Sequence, residues 1–246
     1  MLWQDLFHRI RQNKDEEIRM IIYHGSDRII HKPEYGKGKP CNDYGRGFYC
    51  TEHADLAREW SVDAGRDGFM NRYAFVPDGL NVLHLNDGTY SILHWLAVLL
   101  ENREFVLTTP LAREAKRYLL RYFSVPYKDA DVIIGYRADD SYFSFAGDFV
   151  NGAISVRQLE DAMYLGELGE QVVIRSKAAF DRLIFEGYEP VSAENWYPRR
   201  ESRDTKARKA YLHSDRTGWR KGELYMTRIL DEEIRPDDDR IRRIIY

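Results

Sequence analysis

The sequence predicts an α+β fold. Short apolar segments of strand length alternate with helical segments at irregular spacing, which is typical of α+β proteins rather than of a doubly wound parallel sheet. The chain of 246 residues is 43% hydrophobic, which suffices for a substantial core. Charged residues make up 31% of the chain but nearly cancel to a net charge of −3, so the overall charge does not favour nucleic acid or an anionic membrane.

The elements follow from apolar spacing and from breaker residues. Apolar residues from Leu2 to Ile10 recur at helical spacing and predict a helix over residues 2–12, within an N-terminal extension of residues 1–19. A domain over residues 20–246 then begins with a short buried strand, which a Gly- and Pro-rich loop follows. The same criteria predict strands over residues 20–23, 47–51, 73–76, 82–85, 131–135, 170–175 and 184–191, and helices over residues 52–64, 91–102, 111–123, 155–163, 177–183 and 223–234.

The segment from Pro198 to Lys221 differs in composition from the rest of the chain. It holds nine Lys or Arg residues against three Asp or Glu residues, and few aliphatic ones. We interpret residues 198–221 as a solvated, mobile loop. The alternative is a surface that binds an acidic target, a small partner protein or nucleic acid phosphates.

The numbers and positions of the Cys and His residues indicate the cellular compartment and whether a metal site is expected. Cys41 and Cys50 are too few for a disulfide framework, which suits a reducing cytoplasm. The N-terminus lacks a hydrophobic signal region, and no run approaches the ~20 apolar residues of a membrane helix. The seven His residues are scattered and neither Cys has a CxxC partner, so we expect no metal site.

Three short motifs carry the candidate chemistry. In the first, His24 and Gly25 end a strand, which sets an imidazole beside backbone groups that a planar ligand can approach closely. In the second, Gly47 leads into a strand that carries Tyr49, so this glycine segment does not resemble a phosphate-binding loop, which precedes a helix. In the third, Trp60 follows Tyr49 by eleven residues on a predicted helix. Taken singly, each motif also fits an ordinary structural role.

In combination, the motifs resemble the ADP-ribosyltransferase superfamily, in the branch of diphtheria toxin and poly(ADP-ribose) polymerase with its His, Tyr and Glu signature. The resemblance implies a split pair of small, mostly antiparallel sheets with flanking helices, and NAD as substrate. It implies that His24 contacts the adenosine ribose, that Gly25 binds the nicotinamide carboxamide through its backbone, and that Tyr49 and Trp60 sandwich the cationic ring. Each such ring contact contributes about 0.5–2 kcal/mol. The implied NAD pocket comprises His24, Gly25, Ser26, Tyr49, Thr51 and Trp60.

The chain also resembles a bacterial family of unknown function within this superfamily, often encoded beside small partner genes as toxins are beside antitoxins. The matching segments include Asp131 to Asp140, Gln171 to Val173 and Leu230 to Asp238. The resemblance implies a mono-ADP-ribosyltransferase, acting inside a bacterium as a toxin or modifier of a macromolecular target, with an antitoxin-like partner. Two alternatives stay open: a weak or inactive NAD-fold module that acts by binding a partner, and a NAD glycohydrolase.

The catalytic Glu that the ADP-ribosyltransferase superfamily supplies is ambiguous in this sequence, and the resemblance to the family of unknown function favours Gln171 in its place. Cleavage of NAD develops positive charge on the ribose, which a carboxylate stabilises. Strand alternation puts Gln171 on the face of Arg175, which favours Gln171 at the catalytic position and turns Glu170 away. Glu170 reaches the site only through a local bulge. Asp139 and Asp140 are a third source, or simply turn residues. From the sequence alone, we expect Gln171→Glu to raise the rate of NAD cleavage.

Overall fold

The computed structural model describes residues 19–138, 140–165, 169–213 and 219–242. Within them, helices flank two small sheets, which confirms the predicted α+β class. The predicted helix over residues 2–12 lies outside the described residues.

The strands and helices follow one another in an irregular order. The strands are β1 (Met20–Ser26), β2 (Phe48–Cys50), β3 (Gly68–Phe75), β4 (Val82–His84), β5 (Val132–Tyr136), β6 (Glu170–Ile174) and β7 (Leu183–Val191). The helices are α1 (Ala54–Ser61), α2 (Ile92–Asn102), α3 (Pro110–Tyr122), α4 (Asp140–Val150), α5 (Val156–Ala162), α6 (Lys177–Phe180), α7 (Ala193–His213), α8 (Met226–Asp231) and α9 (Asp239–Arg242), with a 3-10 turn at Tyr127–Asp129.

The two sheets are mostly antiparallel, as expected. The first sheet has the strand order β1-β3-β7, and both of its pairings are antiparallel. The second has the order β2-β6-β5-β4, in which only β4 and β5 run parallel. The parallel pair is joined by a crossover that contains α2 and α3, because parallel neighbours need a long connection.

One hydrogen-bonded pair links the edges of the two sheets. The N–H of Tyr23 donates to the Thr51 carbonyl at 2.8 Å, and the N–H of Thr51 donates back to the Tyr23 carbonyl at 2.9 Å. Within the described residues this bridge is isolated, so β1 and β2 separate on either side of it. The separation opens a gap between the sheets at the end of β1.

Alternating residues of the second sheet enter two different cores. Val132 and Val172 join a buried cluster that also contains residues of the first sheet, such as Ile22. Ile133 and Val173 point to the opposite face and join a larger cluster built mainly from α2, α3, α4 and α5. Helix α2 is buried along most of its length. No helix in the described ranges is long and apolar enough to cross a membrane.

Helix α4 was not predicted from the sequence. Asp139 lies outside the described residues, and Asp140 is the first residue of this helix rather than part of a loop. The segment is rich in aromatic residues, which have only moderate helix propensity. Burial decides the outcome, since Tyr142, Phe145 and Phe149 are each at most 1% exposed.

The predicted loop over residues 198–221 is a helix for most of its length. Helix α7 runs to His213, residues 214–218 lie outside the described residues, and only the last three residues of the segment are described as non-helical. The sequence shows no apolar stripe because only Ala193, Ala207 and Tyr211 are buried in this helix. Polar contacts hold it instead: Arg203 donates two hydrogen bonds to Glu59, at 2.6 and 2.9 Å.

Several predicted boundaries shift by a few residues. The third strand begins at Gly68 rather than at Tyr73, because its first half, which lacks a continuous apolar run, still pairs with both neighbouring strands. The predicted helix over residues 223–234 is limited to the six residues of α8, and that over 177–183 to the four of α6. The sequence overestimates the length of short helices, because a single turn is enough to create the apolar spacing from which a longer helix is predicted.

We predict that Gly25→Ala destabilises the protein, because a Cβ atom at this position would lie 2.1 Å from the backbone oxygen of Ala57 in α1. Overpacking of this kind costs about 1–3 kcal/mol. Gly147→Ala in α4 is the matched control, since its Cβ would meet nothing within 4 Å and the added methyl favours the helix by about 0.5–1 kcal/mol. Urea denaturation of the two variants measures the difference. Equal stability would show that α1 does not rest on Gly25.

Candidate functional site

A cleft of about 890 Å³ opens where β1 and β2 separate. Its walls come from the end of β1 and the loop after it, from β2, from the end of α1 and from β6. Residues that the sequence singled out meet here: His24, Gly25, Ser26, Tyr49, Trp60 and Gln171 line the cleft. Thr51 and Glu170, which the sequence also singled out, are not part of its walls.

His24 bridges the two strands at the point where they separate. Its Nδ1 lies 2.7 Å from the carbonyl oxygen of Tyr49. Because a carbonyl only accepts, Nδ1 carries the proton, and Nε2 of the neutral ring is left as an acceptor. Burial lowers the pKa of the imidazole, which outweighs the opposite effect of this hydrogen bond. The ring also packs on Phe48, with 4.2 Å between the ring centroids.

Gly25 presents open backbone groups to the cleft. The N–H and C=O of Tyr23 both face Thr51, and backbone groups point to the same side at every second residue of a strand. The N–H and C=O of Gly25 therefore face the side from which β2 has withdrawn. Such an edge can pair with the amide of a ligand as it would with another strand.

The hydroxyl of Tyr49 is held by backbone groups. It donates to the Gly45 carbonyl at 2.7 Å and accepts from the N–H of Tyr44 at 3.1 Å. Burial raises the pKa of this phenol, so it is neutral at physiological pH. These contacts fix the ring from one end, and Tyr49 offers the cleft a rigid aromatic surface rather than an acid or a base.

Trp60 is covered by a cation. The guanidinium carbon of Arg137 lies 3.7 Å from the centroid of the indole ring. Both residues line the main cleft, and both also line a second hollow of about 420 Å³ between α1 and α7. Trp60 therefore already binds a planar cation by stacking and cation–π attraction.

Gln171 and Glu170 lie on opposite faces of β6. Gln171 is 4% exposed, and its Nε2 donates to Oδ2 of Asp43 at 2.8 Å on the cleft wall. Glu170 points away: its Oε1 accepts from Nε2 of His84 at 2.8 Å and from the amide of Asn86 at 2.9 Å. No bulge brings Glu170 into the cleft, since β6 pairs in regular register with both neighbouring strands.

Asp43 is a cleft residue that the sequence did not reveal. It is 5% exposed. Its carboxylate accepts from the N–H of Ala138 at 2.9 Å, from Nη1 of Arg103 at 3.1 Å and from Gln171. Burial raises the pKa of Asp43, although these hydrogen bonds and the charges of Arg103 and Arg137 oppose the rise. In the sequence, it is one polar residue in a loop of glycines and lysines, which gives no signal of burial.

Ser26 and Thr51 have structural contacts. The Ser26 hydroxyl donates to the carbonyl of Arg28 at 2.5 Å and turns the chain after β1. Thr51 is fully buried, and its Oγ1 accepts from the N–H of His53 at 3.2 Å. In the described part of the chain, no cluster of three or more His, Cys, Asp or Glu residues is arranged to hold a metal ion.

The fold and the site define an α+β protein with a cleft between the separating edges of two sheets. The chain belongs to the family of proteins of unknown function DUF3990, whose model matches residues 20–185. The cleft residues run from His24 to Phe180 and all lie within this range, whereas α7 lies beyond it. No curated protein and no solved structure matches the chain.

We predict that His24→Asn loses less stability at neutral pH than His24→Ala. The amide of Asn replaces Nδ1–H as a donor to Tyr49, whereas Ala leaves that partly buried carbonyl without its donor, which costs up to about 1–3 kcal/mol. Urea denaturation at pH 7.5 measures both. Equal losses would contradict the bridging role of His24.

We also predict that acid destabilises the wild type more than His24→Asn. The pKa of His24 is lowered from 6.5 in the folded protein, so the unfolded chain binds the extra proton first and stability falls as the pH drops below 6.5. Between pH 7.5 and 5.5 the wild type should therefore lose more stability than the variant. His94, whose pKa is also lowered, is common to both proteins and cancels. Parallel losses would contradict the burial of a neutral His24.

Proposed function

We propose that this protein binds NAD in the cleft and transfers ADP-ribose from it to a macromolecular acceptor. One observation carries the proposal: His24, Tyr49 and Trp60, distant in sequence, line the same cleft. The resemblance to ADP-ribosyltransferases assigns residues of these types to the NAD pocket. Through the same resemblance, we propose action inside a bacterial cell as a toxin or modifier, opposed by a small antitoxin-like protein.

The charges of the cleft suit a dinucleotide with a pyrophosphate. Its volume lies in the range of about 300–1,000 Å³ that is usual for small-molecule sites. An excess of cationic side chains attracts phosphate oxygens and raises the local concentration of an anionic ligand. Among the described residues, six Lys or Arg side chains line the cleft against three Asp or Glu: Arg28, Lys32, Lys37, Lys39, Arg103 and Arg137 against Asp27, Glu34 and Asp43.

Tyr49, Trp60 and Gly25 offer the cleft surfaces that match the nicotinamide portion of NAD. As a flat cation, the nicotinamide ring takes the place of the Arg137 guanidinium on Trp60, with Tyr49 as the second ring. Its carboxamide has one donor and one acceptor side, which suits the open N–H and C=O of Gly25. Nε2 of His24 accepts a hydrogen bond from a ribose hydroxyl.

The proposed reaction breaks the bond between N1 of nicotinamide and C1′ of the ribose. The bonding electrons leave with nicotinamide, which becomes neutral, and positive charge develops on the ribose ring. A nucleophilic oxygen or nitrogen of the acceptor then bonds to C1′ and releases its proton to solvent. Groups that hold the sugar and present negative charge to it lower the barrier.

A second candidate function is favoured by Gln171. Gln171 places an amide on the cleft wall, where the ADP-ribosyltransferases that the sequence resembles have a carboxylate. This fits a module that binds NAD, or a partner, with little turnover. Hydrolysis of NAD is the third candidate, in which water takes the place of the acceptor. All three candidate functions begin with NAD or partner binding, so the products formed from NAD distinguish them.

We predict that the wild type binds NAD and that Trp60→Ala weakens binding about 2- to 30-fold, which corresponds to the loss of one ring contact. Trp60→Phe should retain part of the affinity because it keeps an aromatic face. The matched control is Trp219→Ala, since Trp219 is 70% exposed and stacks on Tyr225 away from the cleft. Isothermal titration calorimetry measures all four proteins. Wild-type affinity in Trp60→Ala would remove Trp60 from the pocket.

The transfer itself is tested with NAD labelled in the adenylate portion. Incubation with bacterial lysate, followed by separate nuclease and protease treatment, identifies a protein or nucleic acid acceptor. Label that appears only as free ADP-ribose supports hydrolysis. Binding without any cleavage supports the module. Absence of NAD binding by the wild type would overturn the proposed function as a whole.

A further inference from the structure

A buried carboxylate lies behind the amide of Gln171. Asp43 is 5% exposed, and its Oδ2 accepts from Nε2 of Gln171 at 2.8 Å. No other arrangement of the amide satisfies this contact, because a carboxylate only accepts and Nε2 is the only donor of the Gln side chain. The orientation of Gln171 is therefore set by the charge of Asp43.

In this orientation, the amide oxygen of Gln171 remains available to accept a hydrogen bond from a ligand. Within the described part of the chain, Oε1 has no hydrogen-bond partner, whereas Nε2 has two acceptors, Asp43 and, at 3.4 Å, the carbonyl of Tyr136. Gln171 lines the cleft. An unpaired acceptor on the wall of a polar cleft is suited to a ligand that donates, such as a sugar hydroxyl.

We propose that Asp43 and Gln171 act as one anionic unit, in which Asp43 is a positioning residue that orients and polarises Gln171 toward the ribose of the bound substrate. The inference rests on the proposed function. In the unit, the 2′- or 3′-hydroxyl donates to Oε1 of Gln171, and the negative charge that stabilises the developing ribose cation resides on Asp43. The amide transmits it, since a hydrogen bond to an anion polarises the donor group.

When Asp43 is ionised, it is the one negatively charged group of the Asp43–Gln171 unit, and the phenols around it add no charge. Arg103 and Arg137 are cationic groups that act on Asp43, and Asp43 in turn acts on the phenols of Tyr44 and Tyr49. Burial raises the pKa of both phenols, so both are neutral. Asp43 is thus the group whose protonation removes the negative charge, and burial raises its pKa from 3.8.

The unit reverses the expectation for Gln171→Glu that the sequence alone supports. A carboxylate at position 171 would meet the Asp43 carboxylate at hydrogen-bond distance, and two such groups share a proton because both cannot ionise. The single substitution therefore adds no charge at neutral pH. Position 171 carries a full negative charge only if Asp43 is neutralised at the same time.

A charge swap tests the unit. We expect Asp43→Asn to lower kcat for NAD cleavage on the order of 100-fold with little change in KM, because the substitution removes the charge that polarises Gln171. Gln171→Glu alone should not exceed the wild type. Asp43→Asn combined with Gln171→Glu should recover most of the loss. Asp131→Asn is the matched control, since Asp131 also accepts a backbone N–H, at 2.8 Å, but at the far end of β5. If the double variant is as slow as Asp43→Asn, or Asp43→Asn keeps the wild-type kcat, the proposal is overturned.

The pH profile separates this role from a merely structural one. Because Asp43 must be ionised, kcat of the wild type should fall as the pH drops through its raised pKa. The acid limb due to Asp43 should disappear in Asp43→Asn and return in the double variant. Protonation of His24 contributes a limb that all variants share. A profile that is the same in Asp43→Asn and the wild type counts against the unit.

A measurement without NAD keeps the inference apart from the proposed function. The side-chain amide of Gln171, identified in a ¹H–¹⁵N NMR spectrum by its loss in Gln171→Glu, should shift with pH as Asp43 titrates, and should stop doing so in Asp43→Asn. No titration in the wild type overturns the unit whatever the enzyme does. Titration in a protein that neither binds nor cleaves NAD confirms the contact but overturns its role in catalysis, together with the proposed function.

Discussion

The hydrogen bond from His24 to the Tyr49 carbonyl, 2.7 Å long, is the contact on which the candidate site depends. An antiparallel ladder that continued from the Tyr23–Thr51 pair would next join Gly25 to Tyr49. A side chain satisfies that carbonyl instead, so the two strands separate without leaving it unpaired. Because the His24 side chain donates in place of a backbone N–H, the backbone of Gly25 stays free, the tautomer of His24 is fixed, and Tyr49 lies at the wall of the cleft.

Local patterns were enough to predict the strands that frame the site and the alternation along β6. Gln171 and Glu170 differ by one position, and the period of two in a strand decides which of them faces the cleft. Sequence reasoning failed where long-range contacts decide. Helix α4 forms because its aromatic residues are buried, and α7 because Arg203 meets Glu59, which lies 144 residues earlier. Asp43 is invisible for the same reason, since its burial depends on Ala138, Arg103 and Gln171.

The cleft combines two electrostatic environments. Its rim carries an excess of Lys and Arg, whereas its wall holds a buried neutral imidazole at His24 and a buried carboxylate at Asp43. Burial acts on both groups by disfavouring the charged form, so both resist ionisation. Arg103 and Arg137 offset this effect at Asp43 alone. The difference allows a neutral acceptor and an anion to share one site at the same pH.

The stacking of Arg137 on Trp60 bears on how products leave the site. In the proposed reaction, the ring that enters is a cation and competes with the guanidinium for the indole face on similar terms. After the glycosidic bond breaks, nicotinamide is neutral and loses the cation–π part of the attraction, whereas Arg137 keeps it. The arginine then has the advantage and returns to the ring. A residue that competes with the substrate for Trp60 would in this way promote release of the leaving group.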